Sequence, residues 1–118
     1  MPIKMHNLQP LCRGNSREYN LTFIDSKGEP IPITDWKIYF TVKLSYEDAD
    51  SQASIKKGIT VHDDPDNGKS IIKLLPDDTD IEPSNYWYDI KVKRTAESMI
   101  TVAMGRFPII KGVTRRTD

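Results

Sequence analysis

The sequence contains a single cysteine, Cys12, and no apolar run that approaches the length of a membrane span. One cysteine excludes an intramolecular disulfide framework and cannot form a zinc site by itself. The N-terminus lacks the apolar stretch of a signal peptide, and crossing a bilayer takes roughly 20 apolar residues. These absences predict a chain that is made and folded in a reducing cytoplasm and has no membrane as partner.

Neither sign of charge is in surplus, because 17 Lys and Arg residues balance 17 Asp and Glu residues. Affinity for duplex nucleic acid depends on a surplus of cationic groups that neutralise phosphates. Duplex nucleic acid is therefore not expected as a partner of this chain.

Strong helix formers are scarce as well, since Ala and Leu together number 10, whereas Ile, Val and Thr number 28. Residues branched at the β-carbon fit a pleated strand better than a helix. Alternating apolar segments predict strands over residues 17–25, 36–44, 55–61, 70–75, 86–93 and 99–108. We therefore expect residues 1–118 to form one all-β domain, an immunoglobulin-like antiparallel β-sandwich of about seven strands.

Turn residues predict how these strands are connected. Gly28 suits a positive φ at the end of a turn, and Asn67-Gly68 predicts a hairpin between residues 55–61 and 70–75. Residues 95–98 predict a second hairpin. Tyr86, which follows a turn and begins a late strand, suits a tyrosine corner in which its hydroxyl bonds back to the upstream turn. The residues predicted for the core are Leu21, Phe23, Trp36, Ile38, Phe40, Val42, Ile72, Leu74, Tyr86, Tyr88, Ile90, Val92, Ile100, Val102 and Met104.

Both ends of the chain carry apolar residues with no obvious place in that core. We interpret them as terminal arms at about residues 1–12 and 109–118. Such arms can lie across a neighbouring subunit as an added strand. The pattern predicts a homo-oligomer or a complex in which an arm contacts another chain. The arm residues are Ile3, Leu8, Leu11, Ile109, Ile110 and Val113.

The motifs that support catalysis are missing from the sequence. It has no phosphate-binding loop, no nucleophile elbow and no dinucleotide fingerprint. Cys12 and His6 lie close together near a terminus, where a site that excludes water is hard to build. We therefore predict no enzymatic activity, no catalytic residue and no cofactor.

Acidic turns raise the question of a calcium site. If Gly68 is the sixth position of an EF-hand loop, Pro65 and Leu74 fall where ligands belong, so the template fails. A looser oxygen site that adds Asp77, Asp78 and Asp80 is an alternative, but two solvated turns are the preferred interpretation. The two histidines lack the spacing of metal ligands, and we predict no metal site.

Two aromatic residues, Tyr39 and Trp87, fall opposite the predicted core in the alternation of their strands. Exposed aromatic side chains of this kind serve as interface anchors or as platforms for sugar rings. We favour an interface because the flanking sequence lacks polar residues that would select a particular sugar. Glycan binding is the alternative.

Three stretches resemble a pattern found in bacteriophage and prophage virion proteins with immunoglobulin-like folds. The first stretch is residues 13–44. Within it, residues 19–30 (YNLTFIDSKGEP) resemble the opening strand and its Asp-x-x-Gly-x-Pro turn, and residues 36–44 (WKIYFTVKL) resemble the alternating strand that follows. Residues 68–92 are similar to a strand, a Pro-x-x-Thr turn and a Tyr-x-Tyr-Asp-Ile strand. Residues 105–115 are similar to the closing Gly-x-Phe-x-Ile and Val-Thr-Arg segment. The family includes the N-terminal domain of phage baseplate upper proteins and related small tail, neck and head proteins.

The resemblance implies a structural role without catalysis. The chain is then expected to be made in the cytoplasm of a bacterial host and to become a virion component. Its partners are expected to be further copies of itself, other virion proteins, or both. The alternative under this resemblance is a glycan-binding module that aids attachment to a host surface.

Overall fold

Strands are the only regular elements longer than three residues in the computed structural model, which describes residues 4–5, 7–45 and 47–112. No helix in this part of the chain is long and apolar enough to cross a bilayer. The prediction of an all-β chain is confirmed. The strands are β1 (Lys4–Met5), β2 (Leu11–Cys12), β3 (Arg17–Thr22), β4 (Lys37–Lys43), β5 (Ile55–Ile59), β6 (Lys69–Leu74), β7 (Ser84–Thr95) and β8 (Ser98–Ile110), and short 3₁₀ turns span Asp50–Gln52 and Pro65–Asn67.

The described residues form two sheets. The large sheet has the order β1-β8-β7-β4-β5, with β2 also paired to β8, and the small sheet consists of β3 and β6. The predicted hairpin at residues 95–98 is confirmed, because it joins the two longest strands, β7 and β8. Pairing among β4, β5, β7 and β8 is antiparallel, but β1 and β2 run parallel to β8. The expectation of a purely antiparallel fold is wrong, since the large sheet is mixed.

The predicted hairpin between residues 55–61 and 70–75 is also wrong. β5 pairs with β4 in the large sheet, whereas β6 pairs with β3 in the small sheet. A type I′ turn needs positive φ at both central residues, and no described residue other than glycine has one. Gly68, at φ 71°, instead ends the 3₁₀ turn at Pro65–Asn67. The connection between β5 and β6 therefore carries the chain from one sheet to the other.

A buried histidine anchors this crossing, and no pattern in the sequence predicts it. His62 Nε2 lies 2.7 Å from the Trp36 carbonyl oxygen, and Nδ1 lies 2.9 Å from the Ser70 hydroxyl. A carbonyl oxygen can only accept a hydrogen bond, so Nε2 carries a proton and donates the hydrogen bond to the Trp36 carbonyl. His62 thereby links the start of β4 to β6, across the two sheets.

The core lies between the sheets and draws on both of them. Tyr19 on β3 packs against Phe40 on β4, with ring centroids 6.0 Å apart, and Phe40 also contacts Tyr88 and Phe107. Most of the predicted core residues are buried, and Leu21, Trp36, Ile100 and Val102 pack against them while half-buried. The buried apolar residues are Leu11, Phe23, Ile33, Ile38, Phe40, Val42, Ile55, Ile72, Leu74, Tyr86, Tyr88, Ile90, Val92, Phe107 and Ile109.

The prediction that Met104 faces the core is wrong because β8 contains a bulge. Ile90 pairs with Ala103 and Lys91 pairs with Thr101, so Val102 is an extra residue in β8. A single extra residue reverses which face each following side chain points to. Met104 consequently lies beside Asp89 on the face opposite the core.

The predicted tyrosine corner is present. The ring of Tyr86 is buried, and its hydroxyl donates a hydrogen bond to the Glu82 carbonyl oxygen, at 2.5 Å. Burial raises the pKa of the Tyr86 hydroxyl, as does the nearby negative charge of Glu82. The phenol therefore stays protonated and keeps this bond to the turn before β7.

The expectation that the ends of the chain have no place in the core is wrong for Leu11 and Ile109. Both side chains are buried, and the two residues pair directly where β2 lies along β8. The Leu8 amide also donates to the Arg106 carbonyl, at 2.9 Å. The described part of the predicted N-terminal arm thus covers the edge of β8 in its own chain. Of the other arm residues, Ile110 is 45% exposed, and Ile3 and Val113 lie outside the described residues.

Candidate functional site

The face of the large sheet that points away from the small sheet carries the two aromatic residues singled out in the sequence. Strand alternation places Tyr39 on β4 and Trp87 on β7 opposite the buried side chains of their strands, and both are half-buried. We call this surface the outer face. It consists of the outward-pointing residues Lys37, Tyr39, Thr41, Lys43, Lys56, Trp87, Asp89, Lys91, Lys93, Met99, Met104 and Arg106.

A groove of about 340 Å³ runs across the outer face between Tyr39 and Trp87. Met99 and Met104 on β8 line it together with these two rings, so its apolar part is built from aromatic and thioether groups. Methionine side chains adapt to differently shaped partners. The bulge at Val102 is what brings Met104 into this groove.

Trp87 forms the best-defined contact on the outer face. It lies opposite Arg106 on β8, and the Arg106 guanidinium carbon lies 3.5 Å from the centroid of the indole ring. One Arg106 nitrogen donates to the Asn85 carbonyl at 3.0 Å, which holds the guanidinium in place. A cation stacked on an indole face is attracted by the ring quadrupole, and the pair is therefore ordered before any partner binds.

Cationic side chains surround this groove. They come from four strands and are Lys37, Lys43, Lys56, Lys91, Lys93 and Arg106. Asp89, opposite Thr41 and Met104, is the carboxylate on the outer face. Sequence alternation alone places several of these lysines opposite the core, but their grouping depends on the strand register.

The remaining predicted site residues are not brought to this groove. Leu8 is half-buried against the core, Ile109 is part of the core, and Ile110 is exposed at the end of β8. The side chain of Ile109 is thus covered within its own chain. Ile3 lies outside the described residues, so the structure does not place it.

The acidic turns lie at opposite ends of β6, and their carboxylates accept local hydrogen bonds. Asp64 accepts from the Asn67 side chain, and Asp78 accepts from the Leu75 amide, at 2.9 and 2.8 Å. Asp78 also pairs with Lys57 at 2.8 Å. Within residues 4–5, 7–45 and 47–112, no three His, Cys, Asp or Glu side chains are grouped as metal ligands would be.

Among the described residues, the shifted pKa values of Tyr88 and Asp78 are explained by burial, hydrogen bonds and neighbouring charged or ionisable groups. Burial raises the pKa of Tyr88 to about 12, with a smaller contribution from nearby Tyr19. Burial opposes ionisation of Asp78, but the Lys57 hydrogen bond, the Leu75 amide and the Lys57 charge outweigh it and lower that pKa. Neither group is arranged as an acid or base beside a nucleophile in a cleft.

Comparison with known proteins adds no relationship to these observations. No protein-family model matches the chain, and no curated protein matches it.

Proposed function

We propose that the chain is a non-enzymatic structural protein of a bacteriophage or prophage particle, where it acts through protein–protein contacts. The proposal covers a tail, baseplate, neck or head component and assigns the fold to the immunoglobulin-like class. Its sequence support is the resemblance in residues 13–44, 68–92 and 105–115. The tyrosine corner at Tyr86 and the core shared by two sheets are consistent with that class.

The observation that carries the proposal is the composition of the outer face. Trp, Tyr, Met and Arg are enriched at protein interfaces, and all four occur around one groove here. Trp87 is held by Arg106, so its docking surface is ordered in advance and little side-chain entropy remains to be lost on binding. An ordered, partly apolar sheet face suits a lasting contact with another protein.

The expected partners are further copies of the chain, other virion proteins, or both. The protein is expected to be made in the cytoplasm of a bacterial host and to end in the particle. Ile110, 45% exposed at the end of β8, is a second residue available for such a contact.

Light scattering tests this proposal on the chain alone and after co-expression with the proteins encoded beside it. We expect a complex in the wild type that is lost in Trp87→Ala. Leu75→Ala is the control, because Leu75 is an exposed apolar residue outside the outer face. A chain that remains monomeric in every combination, or a complex that survives Trp87→Ala, would contradict the proposal.

Glycan binding is the second candidate function, and the same groove supports it. Thr41 and Asp89 stand beside Tyr39 and Trp87, so polar groups accompany the aromatic rings. The stacked Arg106 weighs against it, because one face of the indole is already covered. A glycan array probed with the wild type and with Trp87→Ala distinguishes the two functions: specific binding that depends on Trp87 favours the glycan module.

A further inference from the structure

The outer face has a charge that the chain as a whole does not have. Lys and Arg balance Asp and Glu in the full sequence, so the formal net charge is zero. The outer face nevertheless carries six cationic side chains and one carboxylate, Asp89. Its formal charge is the difference, +5, and the rest of the chain sums to −5. The neutral composition therefore conceals a face with a strong positive charge.

Three of the cations are crowded together on β4 and β7. Lys37 lies directly opposite Lys93, and Lys91 follows on the same face of β7, opposite Tyr39. Like charges directly opposite in a sheet are destabilising. Asp35, in the turn before β4, is the one carboxylate in the lining of the shallow depression beside Lys37 and Lys93, and Arg94 adds a further cation there. This arrangement is unfavourable for folding, and a bound anion would relieve it.

The groove beside these lysines adds an apolar surface to the positively charged one. Tyr39 lies opposite Lys91 and Met99 lies opposite Lys93, while Met104 lies opposite Asp89, nearer to Trp87. Lys56 stands on β5, opposite Thr41. A ligand that matches this surface has several negative groups and at least one apolar side chain. An acidic polypeptide has both, in a chain that can lie across neighbouring strands.

A single nucleic-acid strand fits the surface less well. Its phosphates would follow the cations, but Asp89 lies between Tyr39 and Trp87 and would repel a phosphate there. One face of the Trp87 ring is covered by Arg106, which reduces the area on which a base could stack. The charges and rings therefore favour carboxylates that can be spaced to avoid Asp89.

We propose that the outer face is the docking surface for an acidic segment of a protein partner. The carboxylates of that segment contact Lys37, Lys91 and Lys93, and an apolar side chain enters the groove between Tyr39 and Met104. This inference rests on the proposed function, because it names the chemistry of the partner that the assembly role requires.

Fluorescence anisotropy provides the test. The probe is a fluorescein-labelled peptide of alternating Glu and Ser with one central Ile, and the same peptide with Gln for every Glu is the control ligand. We expect the wild type to bind the acidic peptide at low salt, and binding to weaken as salt screens the charges. The double variant Lys91→Glu, Lys93→Glu should bind at least about tenfold more weakly. The matched control Lys69→Glu, Lys73→Glu changes the net charge equally on β6 and should bind like the wild type.

A measurement of melting temperature tests whether these lysines contribute to peptide binding rather than to folding stability. Lys93→Glu places opposite charges across β4 and β7, so its melting temperature should be equal to or above that of the wild type while peptide binding falls. If the double variant fails to fold, Lys37→Glu, Lys56→Glu replaces it, since both side chains are exposed on the same face.

Several outcomes would overturn the inference. The first is that the acidic peptide does not bind, and the second is that the β7 and β6 double variants lose equal amounts of peptide affinity. The third is that the Gln peptide binds with the same affinity as the acidic peptide. The fourth is that labelled oligothymidine binds more tightly than the acidic peptide through the same lysines. The last outcome would make the outer face a single-stranded nucleic-acid site. If the peptide fails to bind while the co-expressed complex still depends on Trp87, the inference falls and the proposed function stands.

Discussion

Replacing Gly68 with alanine should destabilise the fold more than the same change at Gly28. Both glycines have a left-handed backbone, with φ of 71° and 82°. An alanine in that conformation is destabilised by roughly 1–2 kcal/mol, whichever of the two positions it occupies. The two substitutions therefore share the conformational part of their effect and differ only in what surrounds the new methyl group.

The surroundings differ sharply. A β-carbon at Gly68 would lie 2.5 Å from the Phe23 carbonyl oxygen and 2.7 Å from the Ile31 carbonyl oxygen. At Gly28, no described atom beyond the glycine and its two chain neighbours lies within 4 Å of such a β-carbon. Both close atoms belong to the backbone, and the Phe23 amide donates to the Gly68 carbonyl at 2.9 Å. Relieving the clash must therefore strain the crossing between the sheets, which adds about 1–3 kcal/mol, as overpacking does.

We expect Gly28→Ala to lose about 1 kcal/mol of unfolding free energy and Gly68→Ala about 3 kcal/mol. For a chain of this length, each kcal/mol lowers the melting temperature by roughly 3–6 °C. Urea unfolding followed by circular dichroism gives the free energies, and thermal scans give the shifts. Equal losses in the two variants would refute the close approach of Gly68 to Phe23 and Ile31, and with it this packing of the crossing.

Three further predictions concern polar groups. Tyr86→Phe should lower the unfolding free energy by about 1 kcal/mol through loss of the bond to the Glu82 carbonyl, whereas Tyr19→Phe should be neutral or stabilising. The buried Tyr19 hydroxyl has no partner among the described residues, and the bonds of nearby Arg17 go to backbone carbonyls. Asp78 has a lowered pKa, so the stability it contributes is present above its unfolded pKa of 3.8 and is lost as pH falls through the folded pKa. Asp78→Asn should therefore lower the unfolding free energy by about 1 kcal/mol at neutral pH and make stability less dependent on acid pH. His62→Leu should lose about 2–3 kcal/mol, because it leaves two buried partners unpaired. Denaturant titrations measure each change, and an unchanged midpoint in Tyr86→Phe, Asp78→Asn or His62→Leu would contradict the corresponding contact.

The parts of the fold that follow from local alternation could be predicted from the sequence. The unbroken pattern of β4 and the Tyr86-Trp87-Tyr88 run of β7 place the buried and outward residues correctly. Turns could be predicted where a single residue determines their geometry, as Gly28 does with its positive φ and Tyr86 does in the tyrosine corner.

Features that depend on pairing between distant segments could not be predicted. The extra residue at Val102 follows from the register between β7 and β8, and the burial of Leu11 follows from β2 lying along β8. Asn67-Gly68 favours a hairpin locally, yet β6 pairs with β3. The same limit applies to the candidate site: alternation exposes Tyr39 and Trp87, but only the register assembles the cations around them.

Hydroxyl-radical footprinting of the chain, free and in its assembled complex, tests most directly whether the outer face is the docking surface. Oxidation at Trp87, Met99 and Met104 should be strongly reduced in the complex, while Leu75 and Val61, exposed outside the outer face, should be oxidised at the same rate in both states. Unchanged oxidation of the three outer-face residues in a complex that protects Leu75 or Val61 would contradict the assignment and move the docking surface elsewhere.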